Sequence, residues 1–211
     1  GVLGDSGCLS FNGNKIITTG GGGMLLTNQP QYAEKARHLT TQARIHNVEY
    51  IHDDVGYNYR MTNLQAALGV AQLEQLGVIL TKKRKIAAHY AEYLSKIQGI
   101  RFLFQQPWAE SNYWLNTVLC EQNDSRAQHD DVMEKMTKEG IATRSIFSPL
   151  HLLRPFKKYS NIKFHVAEGC KGLNLPSSPD LTREALFRVT GTMKRIATRW
   201  EKLGTNMVSA A

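Results

Sequence analysis

The spacing of apolar and polar positions changes several times along this chain of 211 residues, and each change predicts an element. Cys8-Leu9-Ser10-Phe11 reads as a short strand and Asn12-Gly13-Asn14 as a turn. The β-branched Ile16-Ile17-Thr18-Thr19 and four glycines, Gly20 to Gly23, lead to a second strand, Met24-Leu25-Leu26-Thr27. Asn28 and Pro30 suit a helix entry, with Ala33, Ala36, Leu39 and Ala43 on one stripe to about His46. A polar, aromatic loop covers 47–60. Thr62-x-x-Gln65 makes a capping box, followed by Met61, Leu64, Leu68 and Ala71 at helical spacing and by Gly77 as the stop. A third helix is expected over about 78–98, with Ile79, Ile86, Tyr90, Tyr93 and Ile97 on one face and Gly99 ending it.

Beyond Gly99 the texture changes. Tyr113 to Cys120 predicts a strand, and Asp124 caps a helix through about Lys138 that carries Val132, Met133 and Met136. Gly140 stops it, and Ile141 to Phe147 predicts another strand. A Pro-containing loop, a short helix near 164–171 and an extended stretch from Leu173 to Pro179 follow. Thr182 opens a last helix with Leu186, Val189, Met193, Ile196 and Trp200 on one stripe, and the small, polar residues from Gly204 are expected to fray. These patterns divide the chain into 1–95, part of an α/β layer, 96–205, a smaller α+β unit, and a frayed tail, 206–211. There is no internal repeat.

Composition narrows the class. At 42% hydrophobic residues the chain is neither collagen-like nor disordered, and no run approaches 18 apolar residues, so nothing in it spans a membrane. Lys and Arg outnumber Asp and Glu by 26 to 18, a formal charge of +8, which favours an anionic partner without choosing one. Cys8, Cys120 and Cys170 lie far apart without CxxC spacing, which suits a reducing cytoplasm and argues against a disulfide framework or a zinc site. The chain opens on Gly1 rather than Met, as if its start lay inside a longer protein.

Lys15 is the first candidate for chemistry. It sits on a tight turn between a strand and a glycine-rich stretch, where backbone N–H groups and hydroxyls are placed to cradle a phosphate. A lysine among apolar neighbours becomes nucleophilic toward carbonyls when desolvation lowers its pKa. The bland alternative is a flexible hairpin with an exposed lysine. A P-loop is excluded because its lysine follows the glycines, and a dinucleotide fingerprint lacks its strand–helix context. Lys82-Lys83-Arg84-Lys85 points round most of a helix, which suits a solvated segment better than a nucleic-acid groove. His46, His52, Asp53 and Asp54 match no standard metal spacing, and Trp108, Trp114 and Trp200 read as core or interface anchors.

The run Ser10-Phe11-x-x-x-Lys15-x-x-Thr18-Thr19-Gly20-x-Gly22-Gly23 closely resembles the cofactor-lysine region of DegT/StrS-type sugar aminotransferases. Gly56-x-Asn58-Tyr59-Arg60-Met61-Thr62-x-x-Gln65-Ala66-Ala67, Gln72-Leu73, Pro149-Leu150-His151 and Leu175-Pro176 to Leu181-Thr182 resemble further landmarks of that family, in its order, over about residues 4–200. The resemblance implies an α/β, aspartate-aminotransferase (fold type I PLP) architecture, with the latter part of the large domain and its mixed sheet followed by the small C-terminal α+β domain. It implies a PLP-dependent enzyme that transaminates a nucleotide-linked keto-sugar with glutamate as donor. Lys15 would bond pyridoxal 5'-phosphate and later move the proton, Ser10 would hold the cofactor phosphate, and Asn58 would reach the phosphate in the neighbouring copy of a homodimer with shared active sites. Arg144-Ser145-Ile146-Phe147-Ser148-Pro149-Leu150-His151 and Asn174-Leu175-Pro176-Ser177-Ser178 resemble members making 4-amino-4,6-dideoxy-N-acetyl sugars, with Arg144 and His151 at the sugar. A surface histidine and a solvated arginine are the alternatives there.

Two departures from the family follow. Gly21 stands where the family usually has Glu, which removes a carboxylate from the loop. Members of the family also run to about twice this length, and their N-terminal portion carries the aspartate that pairs with the PLP ring nitrogen. The expected setting is cytoplasmic nucleotide-sugar metabolism serving cell-surface polysaccharide, with no membrane or nucleic-acid partner. The competing expectation is a truncated, inactive relative that self-associates or binds a partner through an uncovered face.

Overall fold

The computed structural model describes residues 3–46, 48–121, 125–159 and 162–208; the side chains of 125–126 and 200–208 lie outside that description. The chain forms two compact units, Gly1–Ile79 and Leu80–Ala211.

In the first unit, β1 (Ser6–Ser10) and β2 (Gly23–Thr27) pair antiparallel, with Cys8 opposite Leu25. Helix α1 (Pro30–Thr40) begins on Pro30 and stops about six residues before the expected His46. Gln42 and Ala43 take φ of 59° and 53°, left-handed values that a right-handed helix cannot contain. The chain therefore folds back, with bridges from Thr41 to Asn58 and from Arg44 to His52. Two ion pairs hold this segment to α1: Lys35 Nζ to Asp54 Oδ2 and His38 Nε2 to Asp53 Oδ1, both 2.5 Å. The Lys35 contact raises that amine above its ordinary value and holds the Asp54 carboxyl below its own.

Helix α2 (Asn63–Glu74) opens on the expected capping box. Gln65 N–H donates to Thr62 Oγ1 at 3.3 Å, and Thr62 N–H donates back to Gln65 Oε1 at 3.0 Å. Gly77 does not end it. The helix breaks at Gln75, and α3 (Leu76–Leu94) takes Gly77 into its first turn. The stripe expected on α2 is also largely uncovered: Leu64, Leu68 and Ala71 are exposed and Met61 is half-buried, and Leu73, Val78 and, in the hairpin, Leu9, Met24, Leu25 and Leu26 are exposed as well.

The second unit is built on an antiparallel sheet in the order β3 (Ile100–Phe102), β4 (Asn116–Cys120), β6 (Lys171–Leu175), β5 (Arg144–Ser145). Val118 lies opposite Leu173, and Leu173 opposite Ser145. The sequence pattern did not predict β3, whose three residues offer too little alternation to register. The strand expected over 141–147 shrinks to Arg144–Ser145 at the sheet edge. Helices α4 (Ser125–Lys138) and α6 (Arg183–Val208), with the latter part of α3, complete one core of Ile86, Tyr90, Leu94, Val132, Met136, Val189, Met193 and Ile196. Short 3-10 turns, Leu150–Leu152 and Arg154–Tyr159, lead to α5 (His165–Gly169).

Burial of Ile86, Ala87, Tyr90 and Leu94 in this core places most of α3 with the second unit, and the compact units divide after Ile79. Helix α6 is described as far as Val208, and 209–211 of the expected tail lie outside the described residues. Asp124, the expected cap of α4, and the Trp200 side chain also lie outside them. Trp108 is 86% exposed and anchors no core in this chain, whereas Trp114 stacks on Phe147 with centroids 6.5 Å apart. No single described helix is long and apolar enough to cross a membrane.

The basic run on α3 is not uniformly solvated. Lys82 pairs with Asp180 and Arg84 with Glu110, but Lys83 is buried. Its Nζ donates to the carbonyls of Ser177 at 2.7 Å and Trp114 at 3.2 Å, and burial pushes its pKa down.

Candidate functional site

Lys15 lies on the loop between β1 and β2, and that loop is braced by its own backbone. Phe11 N–H donates to Gly22 O, Thr19 N–H to Phe11 O, and Lys15 N–H to Asn12 O, each at 3.0 Å. Thr18 Oγ1 donates to Phe11 O at 3.0 Å and accepts from Gly20 N–H at 2.8 Å. Gly20 and Gly22 take φ of 79° and 106°, where a Cβ is costly, so the glycine run serves turns of defined geometry. The loop packs on the start of α2. Gln65 Nε2 reaches Gly21 O at 3.5 Å, and a Cβ on Gly22 would meet Met61 Cε at 3.3 Å. Thr19 is buried there, and a Cβ on Gly69 would meet its Cγ2 at 2.9 Å. These contacts leave Lys15 half-buried on a fixed turn, not on a free hairpin.

Ser10 ends β1 and is exposed. Its Oγ accepts from Asn12 N–H at 3.4 Å, which leaves the hydroxyl proton to donate elsewhere. Asn58 follows the fold-back after α1, exposed and flanked by Tyr57 and Tyr59, whose rings stack at 5.0 Å. Tyr57 N–H donates to Leu39 O at 2.7 Å and Tyr59 N–H to Thr40 O at 3.1 Å, so the backbone on both sides of Asn58 is fixed. Ser10, Lys15 and Asn58 thus belong to the first unit.

Arg144 and His151 belong to the second. Arg144 is exposed on the edge strand β5, paired in register with Asn174. His151 lies in the 3-10 turn after Pro149, and its Nε2 is 3.0 Å from Glu168 Oε1. Phe164 N–H donates to the same carboxylate oxygen at 2.9 Å, and the Phe164 ring lies 4.9 Å from the imidazole. The Phe164 N–H first, and His151 second, hold the Glu168 carboxyl below its usual range. Glu168 and the Gln65 contact to the lysine loop were not singled out from sequence; the capping box signalled Gln65, and nothing in the spacing signalled Glu168. His52, Asp53 and Asp54 serve the fold-back through Gln42 O, His38 and Lys35, and the described residues contain no group of three or more His, Cys, Asp or Glu placed to hold a metal.

Comparison with known proteins places this arrangement. The profile of the DegT/DnrJ/EryC1/StrS aminotransferase family, whose members are PLP-dependent aminotransferases, matches residues 1–194. The chain is 39% identical over 195 residues to the Bacillus subtilis protein EpsN, named as a pyridoxal phosphate-dependent aminotransferase, covering 90% of this chain and 50% of that one. It is 36% identical over 200 residues to GDP-perosamine synthase of Caulobacter vibrioides, covering 93% and 53%. Among solved structures, the aminotransferase TlmJ from Streptoalloteichus hindustanus superposes with a TM-score of 0.86 at 26% identity, over 95% of this chain and 54% of that one. The chain spans about half the length of the curated relatives it matches. The architecture is that of fold type I PLP aminotransferases. With the braced lysine loop and the family match extending together from the first hairpin into α6, the chain belongs to the DegT/DnrJ/EryC1/StrS aminotransferase family.

Proposed function

We propose that this chain is the latter part of a PLP-dependent aminotransferase that aminates a nucleotide-linked keto-sugar, with glutamate as the amino donor. The observation that carries the reading is Lys15, half-buried on a hydrogen-bonded turn, in a chain matched by the family over residues 1–194. The donor set fits part of the cofactor: a primary amine on Lys15 to bond an aldehyde, and the Ser10 hydroxyl, with its proton unspent, for a phosphate oxygen. The Asn58 amide supplies a second phosphate donor, to the cofactor of a neighbouring copy in a homodimer. A carboxylate for the ring nitrogen would come from the portion of the protein that this chain does not span.

When bound, PLP supplies the electron sink that acidifies a neighbouring C–H bond. The Lys15 amine acts first as nucleophile and then as the base and acid that carries the proton at Nζ. Its fixed turn places that atom without a search through loop conformations. Arg144 and His151 bind the sugar, with the sugars of the 4-amino-4,6-dideoxy-N-acetyl class as the proposed products. The relative named GDP-perosamine synthase supports a nucleoside-diphosphate carrier, and the charge of +8 suits one. The proposed setting is cytoplasmic synthesis of precursors for cell-surface polysaccharide.

The full-length enzyme, supplied with a nucleotide-linked 4-keto sugar and glutamate, is expected to yield the amino sugar and 2-oxoglutarate, and Lys15→Ala is expected to abolish both. Undiminished turnover in Lys15→Ala contradicts the reading. The exposed Leu64, Leu68 and Leu73 of α2 favour a second reading, a shortened relative that associates through this face. The intact mass of the native protein separates the two: the mass of these 211 residues alone supports the second, and about twice that mass supports the enzyme.

A further inference from the structure

His151 is clamped on one edge and one face. Its Nε2 meets Glu168 Oε1 at 3.0 Å, and the Phe164 ring lies 4.9 Å from its centroid. Glu168 is itself anchored, since the same oxygen accepts the Phe164 N–H at 2.9 Å. Only an N–H faces an ionised carboxylate favourably, so the neutral imidazole carries its proton on Nε2 and leaves a lone pair on Nδ1. Nδ1 makes no hydrogen bond among the described residues, although the side chain is only 16% exposed. A half-buried ring with one nitrogen fixed and the other unspent is arranged to accept a hydrogen bond from a ligand.

We infer that Glu168 is a positioning residue that locks His151 in the Nε2–H tautomer, so that Nδ1 accepts a hydrogen bond from a hydroxyl of the sugar. This rests on the proposed reading that His151 faces the sugar. The carboxylate acts through the imidazole and does not itself touch the substrate. The 3-10 turn and α5 are thereby joined by a contact that also sets the polarity of the binding group. The same logic orients metal-bound and catalytic histidines through a second, fixed hydrogen bond.

The test uses the full-length protein with ring-15N histidine, read by long-range 1H–15N correlation at neutral pH. The expected His151 signature is a protonated Nε2 and an unprotonated Nδ1 in wild type and in Glu168→Gln, whose amide oxygen still accepts both N–H groups. In Glu168→Ala the two tautomers are expected to mix. Affinity for a nucleotide-linked amino sugar should fall roughly tenfold in Glu168→Ala and stay near wild type in Glu168→Gln, while affinity for the free nucleoside diphosphate is unchanged. A proton on His151 Nδ1 in wild type overturns the inference. So does an equal loss for both ligands in Glu168→Ala, which would mark a purely structural contact. If His151→Ala weakens sugar binding but Glu168→Ala does not, the inference fails and the assignment of His151 to the sugar stands. If neither variant weakens it, that assignment fails as well, while the role of Lys15 is tested independently.

Discussion

Lys83 is a buried cation whose two charge-assisted contacts run to carbonyls rather than to a carboxylate. Replacing it by methionine keeps most of the volume but leaves the carbonyls of Trp114 and Ser177 without their donor. Lys83→Met is therefore expected to lower stability by about 2 kcal/mol, read as a shift of the denaturation midpoint at unchanged slope. His89 offers a pH test at the same scale. Its ring stacks on Tyr93 at 4.5 Å and meets the edge of Phe187 at 4.9 Å, its Nε2 is buried without a hydrogen-bond partner among the described residues, and burial pushes its pKa down. The unfolded chain protonates near the ordinary 6.5, whereas the folded chain resists protonation to lower pH. As pH falls below that value the unfolded state takes up more protons, so stability contributed by neutral His89 is lost toward acid. Unfolding at neutral pH and at about pH 5 should show a smaller acid loss in His89→Phe than in wild type. The thiols give a third check. Cys8 is exposed, Cys120 is buried with its pKa pushed up to about 11, and Cys170 is intermediate, so a thiol reagent should label them in the order Cys8, Cys170, Cys120.

Among the elements, the glycine run of the lysine loop separates backbone geometry from side-chain space. Gly22 has φ of 106° and Met61 beside it, so Gly22→Ala is expected to cost about 1–2 kcal/mol and to loosen the turn that holds Lys15. Gly21 lacks positive φ, and a Cβ there meets nothing nearer than Gln65 Nε2 at 4.0 Å. Gly21→Glu should therefore fold at least as well as wild type in the same denaturation assay. The positions of these elements were legible to different degrees. The Thr62–Gln65 box and the β1–β2 hairpin could be read directly because local chemistry specifies them. The end of α1 could not, because it depends on left-handed Gln42 and Ala43, residues with no glycine signal. Lys83 looked solvated because four adjacent charges hide which one the packing of α3 turns inward. Lys15 was readable as a residue, but the bracing of its loop by Gln65 and Thr19 is tertiary. Glu168 beneath His151 lies 17 positions away and leaves no periodic trace.

For the molecule as a whole, the decisive facts are length and coverage. The second unit has its own core, while the first leaves the apolar residues of β1, β2 and α2 uncovered. A family match through residue 194 in a chain spanning about half its relatives makes Lys15 the point at which the account stands or falls. The most direct measurement is to load the full-length protein with PLP, reduce it with borohydride and locate the retained mass by peptide mass spectrometry. One cofactor is expected fixed on the peptide containing Lys15, with the visible absorbance and the label both absent in Lys15→Ala. A label distributed over surface lysines, or one that survives Lys15→Ala undiminished, would contradict it.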